Sequence, residues 1–151
     1  MRWFQTAFAF LLGFLVAVAW MATPSEVDAS SAETTSHVQS SAETPHRKSP
    51  SGKARIGLLG QGRNAFVGKL HLAAGAKVPT HRDATEEYIH VLKGSGTVFL
   101  DGRPHPVSPG STIVMAANAE VRFENGPAEM VGIQVFAGPS PAAKYGTWLE
   151  D

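Results

Sequence analysis

From residue 54 onward, glycine and proline interrupt the chain at short intervals, and this punctuation limits the fold more than any other feature. Turn signals stand at Gly60-Gln61-Gly62, Ala74-Gly75, Gly94-Ser95-Gly96, Asp101-Gly102, Pro109-Gly110, Asn125-Gly126-Pro127 and Gly138-Pro139. Between them lie short runs: AFVGKLHL, EEYIHVLK, GTVFLD, STIVMA, AEVRFEN and EMVGIQVF. Most alternate apolar with polar residues or are β-branched, and none keeps a helical period over three turns. Short strands at a spacing of about 8 to 12 residues predict an antiparallel all-β sandwich or barrel. Residues 54–151 are enough for one domain with one modest core.

The residues ahead of this domain have a different character. Met1-Arg2 is a short positive start, and residues 3–22 are apolar apart from Gln5 and Thr6, with no acidic residue. This is the form of a secretory signal, with a cleavage site expected after Ala19 or Ala22. The uninterrupted apolar run, residues 7–22, has a length between a signal core and a membrane span of about 17 to 25 residues, so an uncleaved anchor is the alternative. Either way the domain is expected to be exported, as a periplasmic or extracellular protein or one anchored to the membrane. Residues 23–53 are rich in Ser, Thr, Ala, Glu and Pro and contain SSAET twice, at 30–34 and 40–44. So little apolar area cannot offset the entropy of ordering the segment, which predicts a flexible linker with His37 and His46 solvated.

Several function classes drop out. Thirteen Lys and Arg balance thirteen Asp and Glu, and no basic face with interleaved aromatics emerges, so nucleic acid is not an expected partner. The absence of cysteine removes disulfides, thiolate ligands, a cysteine nucleophile and a lipid-modified cysteine. Gly60-x-Gly62-x-x-Ala65 superficially matches a dinucleotide-binding turn, but that turn needs a helix after it to hold a pyrophosphate. Here Phe66, Gly68, Leu70 and Leu72 alternate with Val67, Lys69 and His71, which predicts a hairpin with His71 on the exposed face. Ser95, inside GSG, belongs to a turn and not to a strand-to-helix nucleophile elbow.

Chemistry can be concentrated in one place, the stretch GAKVPTHRDATEEYIHVLKGSG from Gly75 to Gly96. Two residues of spacing on a strand return a side chain to the same face, so His81 and Asp83 point together. Glu87 opens the next run, sharing a face with Ile89 and Val91, while Tyr88, His90 and Leu92 take the other. A hairpin that folds Glu87 beside His81 brings three ligands or proton carriers onto one wall. Two nearby buried carboxylates repel, which favours a cation, a basic ligand, a retained proton or a wet mouth. His105, in DGRPHPVSPG, is expected to be solvated in a turn-rich connection.

These residues resemble the cupin superfamily, small jelly-roll β-barrels, over essentially all of the exported domain. The first cupin motif spaces glycine, histidine, histidine, glutamate and glycine as Gly75, His81, Asp83, Glu87 and Gly94 are spaced, with aspartate replacing the second histidine. The second motif, typically PGDxxxIPAGxPHxFxN, is similar to PGSTIVMAANAEVRFEN at 109–125, where Pro109, Gly110, Ala117, Phe123 and Asn125 fit. Val121 stands at the metal-binding histidine of that motif. The tail IQVFAGPSPAAKY looks like the final strand and exit of small cupins, with Tyr145 and Trp148 capping the barrel or joining a dimer contact.

The resemblance implies an antiparallel jelly-roll barrel lined by Ile113, Met115, Val121 and Phe123. It also implies homodimer formation, and a metal centre of three histidines and a glutamate in the members that bind Fe, Mn, Zn, Ni or Cu. Only His81, Asp83 and Glu87 are present to hold a divalent Zn, Mn or Fe ion. The expected function is therefore an exported single-domain barrel that binds a small molecule and has an incomplete metal site. Two alternatives stay open. One is a metal-dependent isomerase, lyase or dioxygenase built on His81, Asp83 and Glu87. The other is a non-catalytic structural or partner-binding envelope barrel. Whether the chain is an enzyme stays open with them; an acid–base reaction would use Glu87 as base, His81 as its partner and Asp83 to tune His81.

Overall fold

A computed structural model describes residues 35–151. The expected signal or anchor segment, 1–22, and the first part of the linker lie outside the described residues. Among the described residues the strands in chain order are β1 His46–Lys48, β2 Ala54–Gln61, β3 Phe66–Leu72, β4 Lys77–His81, β5 Glu87–Lys93, β6 Gly96–Leu100, β7 Arg103–Val107, β8 Thr112–Met115, β9 Val121–Asn125, β10 Met130–Phe136 and β11 Leu149–Glu150. They form a seven-stranded sheet, in the order β11-β1-β2-β3-β10-β5-β8, and a four-stranded sheet, β4-β9-β6-β7. Every pairing is antiparallel, and the two sheets make the jelly-roll architecture expected of the sequence.

Alternation in the sequence becomes the inner face of each sheet. In β3, Phe66, Gly68, Leu70 and Leu72 are buried, while Lys69 is exposed. Full burial of each such Leu or Phe stabilises the fold by roughly 1.5 to 3 kcal/mol. These side chains meet Ile56 of β2, Val91 of β5, Met130 and Phe136 of β10, and Val98 and Phe123 of the smaller sheet in one continuous core. Glycine at 68 is a packing requirement, because a Cβ there would lie 2.6 Å from Ile56 Cδ1 and 2.9 Å from Phe66 Cε1. The Gly60 to Ala65 stretch is a hairpin turn closed by the Gly62 amide donating to the Ala65 carbonyl at 2.8 Å. A strand follows it, so the dinucleotide reading fails on the structure as it did on the sequence.

Three expectations need correction. The linker does not run to residue 53, since His46–Lys48 is a strand paired on both sides, His46 with Gly57 on β2 and Lys48 with Leu149 on β11. Backbone pairing, which polar composition does not reveal, supplies its order, and the half-buried His46 is not a solvated linker residue. His105 is exposed as expected but sits in β7, not in a turn. Pro104 and Pro106 are tolerated because β7 is the outer strand of its sheet, where residues at alternate positions need no amide for the ladder. The tail, lastly, is not a simple exit: after β10 it winds into a 3-10 helical segment, Ser140–Thr147, and returns as β11.

Candidate functional site

One irregularity in β4 sets the geometry of the site. Val78 pairs with Phe123 of β9 and His81 pairs with Val121, so three steps on β4 match two on β9. Strict alternation would put Val78 and His81 on opposite faces, but the bulge at Pro79 lets both face the barrel interior. The Pro79 carbonyl accepts a hydrogen bond from His81 Nδ1 at 2.9 Å. A carbonyl can only accept, so Nδ1 carries a proton, and in the neutral imidazole Nε2 is then the acceptor.

Asp83 follows in the turn before β5. Its carbonyl accepts from the Asn118 amide at 2.7 Å, and Arg82 donates to the Asn118 carbonyl at 2.6 Å, which ties this turn to the β8–β9 connection. Asn118 has φ of 62° at the position where the second cupin motif has glycine, and a short polar side chain tolerates that left-handed conformation. Glu87 is the first residue of β5, between Phe136 of β10 and Met115 of β8 in register, and is 4 % exposed. The three predicted residues do converge: their ligand atoms lie within 4.8 Å of one another. His81 Nε2 is 3.8 Å from Asp83 Oδ2, beyond hydrogen-bond length but close enough for their charges to interact.

Two further side chains complete the polar cluster, and sequence reasoning missed both. Lys144, on the 3-10 segment, places Nζ 3.1 Å and 3.4 Å from the two carboxylate oxygens of Asp83. Gln134 of β10, 4 % exposed, donates from Nε2 to Glu87 Oε1 at 2.5 Å. Its Oε1 accepts from the Tyr145 hydroxyl at 2.7 Å. Tyr145 thereby fixes the amide so that its N–H side meets the carboxylate. Gln134 was visible in EMVGIQVF as the one polar residue on the Met130, Gly132, Gln134, Phe136 face. Lys144 carried no comparable signal. Tyr145 and Trp148 line the cavity, with ring centres 4.9 Å apart edge to face, and Tyr145 also packs on Phe66 at 5.6 Å.

Burial raises the Glu87 carboxyl above its ordinary range; the Gln134 hydrogen bond and Lys144 oppose this, and Asp83 adds to it. Burial, then the nearby Glu87, likewise raises the Tyr145 hydroxyl, which remains a donor at neutral pH. The cluster borders a cavity of about 420 Å³, within the usual range of small-molecule sites. Apolar side chains, including Leu70, Ile89, Val98, Ile113, Met115 and Phe123, form most of its wall. Val121, opposite His81, is among them, so the fourth family position is apolar in space as well as in sequence. His90 is exposed on the outer face of β5, where its Nδ1 lies 2.9 Å from Thr112 Oγ1, and takes no part.

With this geometry in hand, the similarities to known proteins are specific about the fold. Residues 68–135 match the family model described as Cupin domain, and the domain that contains them belongs to the cupin superfamily. No curated protein matches the chain at a significant level. Among solved structures, the chain is similar to an RmlC-like cupin from Shewanella frigidimarina, with 17% identity and a TM-score of 0.63 over 69% of this chain and 92% of that one. A predicted oxalate decarboxylase from Thermotoga maritima aligns at 21% identity and TM-score 0.59 over 68% of this chain and 99% of that one. A sugar phosphate isomerase from Silicibacter pomeroyi aligns at 18% identity and TM-score 0.58 over 68% of this chain and 75% of that one.

The donor set does not fit the four-ligand metal centre that the fold family implies. One imidazole and two carboxylates are present, the remaining family position is the aliphatic Val121, and one of the carboxylates already holds an ammonium.

Proposed function

We propose that the barrel binds a small molecule with an apolar body and one oxygen-bearing polar group, without a metal ion as intermediary. A mostly apolar cavity that ends in a single polar cluster carries this reading. Such a cavity orients a ligand by its few convergent polar groups. Three valences remain for a ligand: the N–H of Lys144 not directed at Asp83, Nε2 of His81, and Oε2 of Glu87, which has no hydrogen-bond partner among the described residues. A carbonyl or carboxylate oxygen suits Lys144. A hydroxyl suits His81 and Glu87.

The same geometry supports proton transfer within the bound ligand. Glu87, shifted toward neutrality by burial, would exchange the proton, and His81 would orient the reacting group. Neighbours named as an isomerase and a predicted decarboxylase share the fold with this chain and not one reaction, so the ligand must be found directly.

The test is native mass spectrometry of the full chain, purified without metal affinity, followed by thermal shift against a panel of aliphatic and aromatic carboxylic acids and ketones. Binding predicts a rise in melting temperature that is lost in the cavity-filling variant Val98→Trp. If every panel member leaves wild type unmoved and no small molecule co-purifies, the reading fails; co-purification of another envelope protein alone would favour a partner-binding barrel. We also propose that the domain works outside the cytoplasm, supported by the positive start and apolar run of residues 1–22. No helix among the described residues is long and apolar enough to cross a membrane. Fractionation of cells expressing a carboxyl-terminal reporter fusion tests the location, and a wholly cytoplasmic reporter would overturn it.

A further inference from the structure

The Asp83 and Lys144 pair lies 61 residues apart in sequence and joins the first cupin motif to the tail. We propose that Lys144 is the resident cation of this pocket, an ammonium that supplies the positive charge of a metal ion and keeps a divalent ion out. This goes beyond the binding role above and does not depend on it.

Four observations converge. Lys144 approaches both oxygens of Asp83, at 3.1 Å and 3.4 Å, so it engages the carboxylate face that a metal would use. Asp83 is only 15% exposed, which makes an ionic partner necessary for its charge. The lysine is no wandering surface side chain: its segment is fastened by Ala142, 6% exposed, and by Tyr145, 4% exposed. Its Nζ also lies 4.8 Å from the centre of the Phe136 ring, a favourable position for a cation over an aromatic face.

Charge accounting gives the consequence. Without Lys144 the wall would hold two carboxylates and one imidazole, an arrangement that attracts a divalent ion. With it, Asp83 already has an ionic partner on both carboxylate oxygens, and the wall no longer presents two uncompensated carboxylates to an ion. An ion bound to the same Asp83 oxygen at about 2.1 Å would sit within roughly 5 Å of the ammonium and compete with it for that oxygen. Lysine at 144 and a divalent ion at His81, Asp83 and Glu87 are therefore alternatives.

Calorimetric titration of ZnCl2 into the chelator-treated full chain tests this. Wild type is expected to show no tight site. Lys144→Met should gain at least tenfold in affinity at one ion per chain, and adding Asp83→Asn should abolish the gain, which separates this site from adventitious binding at other histidines. Lys144→Arg, which keeps the charge, should behave as wild type. Near-UV circular dichroism checks the folding of each variant, and Lys144→Gln serves the same purpose if the methionine variant is misfolded. A tight stoichiometric site in wild type, or no gain in the folded neutral variants, overturns the proposal. A tight site in wild type would also remove the metal-free clause of the binding reading, whereas no gain in the folded neutral variants leaves the carboxylic acid and ketone panel untouched, so the two can fail separately.

Discussion

Replacing Tyr145 with phenylalanine isolates one hydrogen bond in the polar cluster. The hydroxyl donates to Gln134 Oε1 at 2.7 Å, and both residues are 4 % exposed. Phenylalanine keeps the ring contacts with Phe66 and Trp148, so packing is nearly conserved. The buried carbonyl oxygen left without its donor costs about 1 to 3 kcal/mol, so the expected loss is about 2 kcal/mol. With a urea m-value of about 1.5 kcal/mol/M, the unfolding midpoint falls by about 1.3 M. A double-mutant cycle with Gln134→Leu sharpens the test. Once the acceptor is gone, the phenylalanine substitution should cost less than about 0.5 kcal/mol, giving a coupling above about 1 kcal/mol. Equal losses in both backgrounds would refute the relay from Tyr145 through Gln134 to Glu87.

Three other outcomes are expected. Burial raises the Glu87 carboxyl above its ordinary value of 4.5, so between the unfolded and folded values the native state holds more proton, and stability falls as pH rises through that window. Glu87→Gln should therefore match wild type near pH 4 in urea midpoint and exceed it at pH 7; a wild type that gains on the variant as pH rises would contradict the sign. The two glycines of the first motif should differ. Gly94→Ala combines φ of 80° with a Cβ 2.4 Å from the Glu129 carbonyl oxygen and should cost more than about 3 kcal/mol, whereas Gly75→Ala, at φ of 65° in open space, should cost about 1 kcal/mol by denaturant titration. Equal costs would show that backbone crowding at residue 94 is unimportant. Val121→His places an imidazole across from His81 and should raise Zn2+ affinity by calorimetry, most in combination with Lys144→Met; no rise in either would mean that the wall lacks metal-site geometry.

What could be read from the sequence follows from how locally each feature is determined. Phe66, Leu70 and Leu72 announce a buried face because alternation is a property of a few consecutive residues. Glu87, Ile89 and Val91 share a face for the same reason, and the convergence of His81, Asp83 and Glu87 needed only one turn between adjacent strands. Asn118 could pass as a departure from the motif, yet it takes up the left-handed conformation that glycine would. Features set by distant pairing were less visible. The DGRPHPVSPG stretch reads as a turn-rich connection, yet Pro104 and Pro106 lie in β7, an outer strand. His46–Lys48 is polar throughout and is ordered by its neighbours. Lys144 enters the site only because the tail folds back over the barrel, and nothing near it in sequence foretells Asp83.

The placement of β1 has a mechanical consequence. This strand shares three register pairs with β2 and two with β11. A pull on the chain ahead of residue 46 is borne by these two ladders together with the bonds of Gln39 and Pro45 to Leu58 of β2. The shorter ladder holds down the end of the segment that carries Lys144, Tyr145 and Trp148. The amino-terminal chain and the closure of the pocket are thus linked in series. A fragment begun at residue 54 would leave β11 without its only sheet partner among the described residues, and the cavity's closing wall without its far anchor.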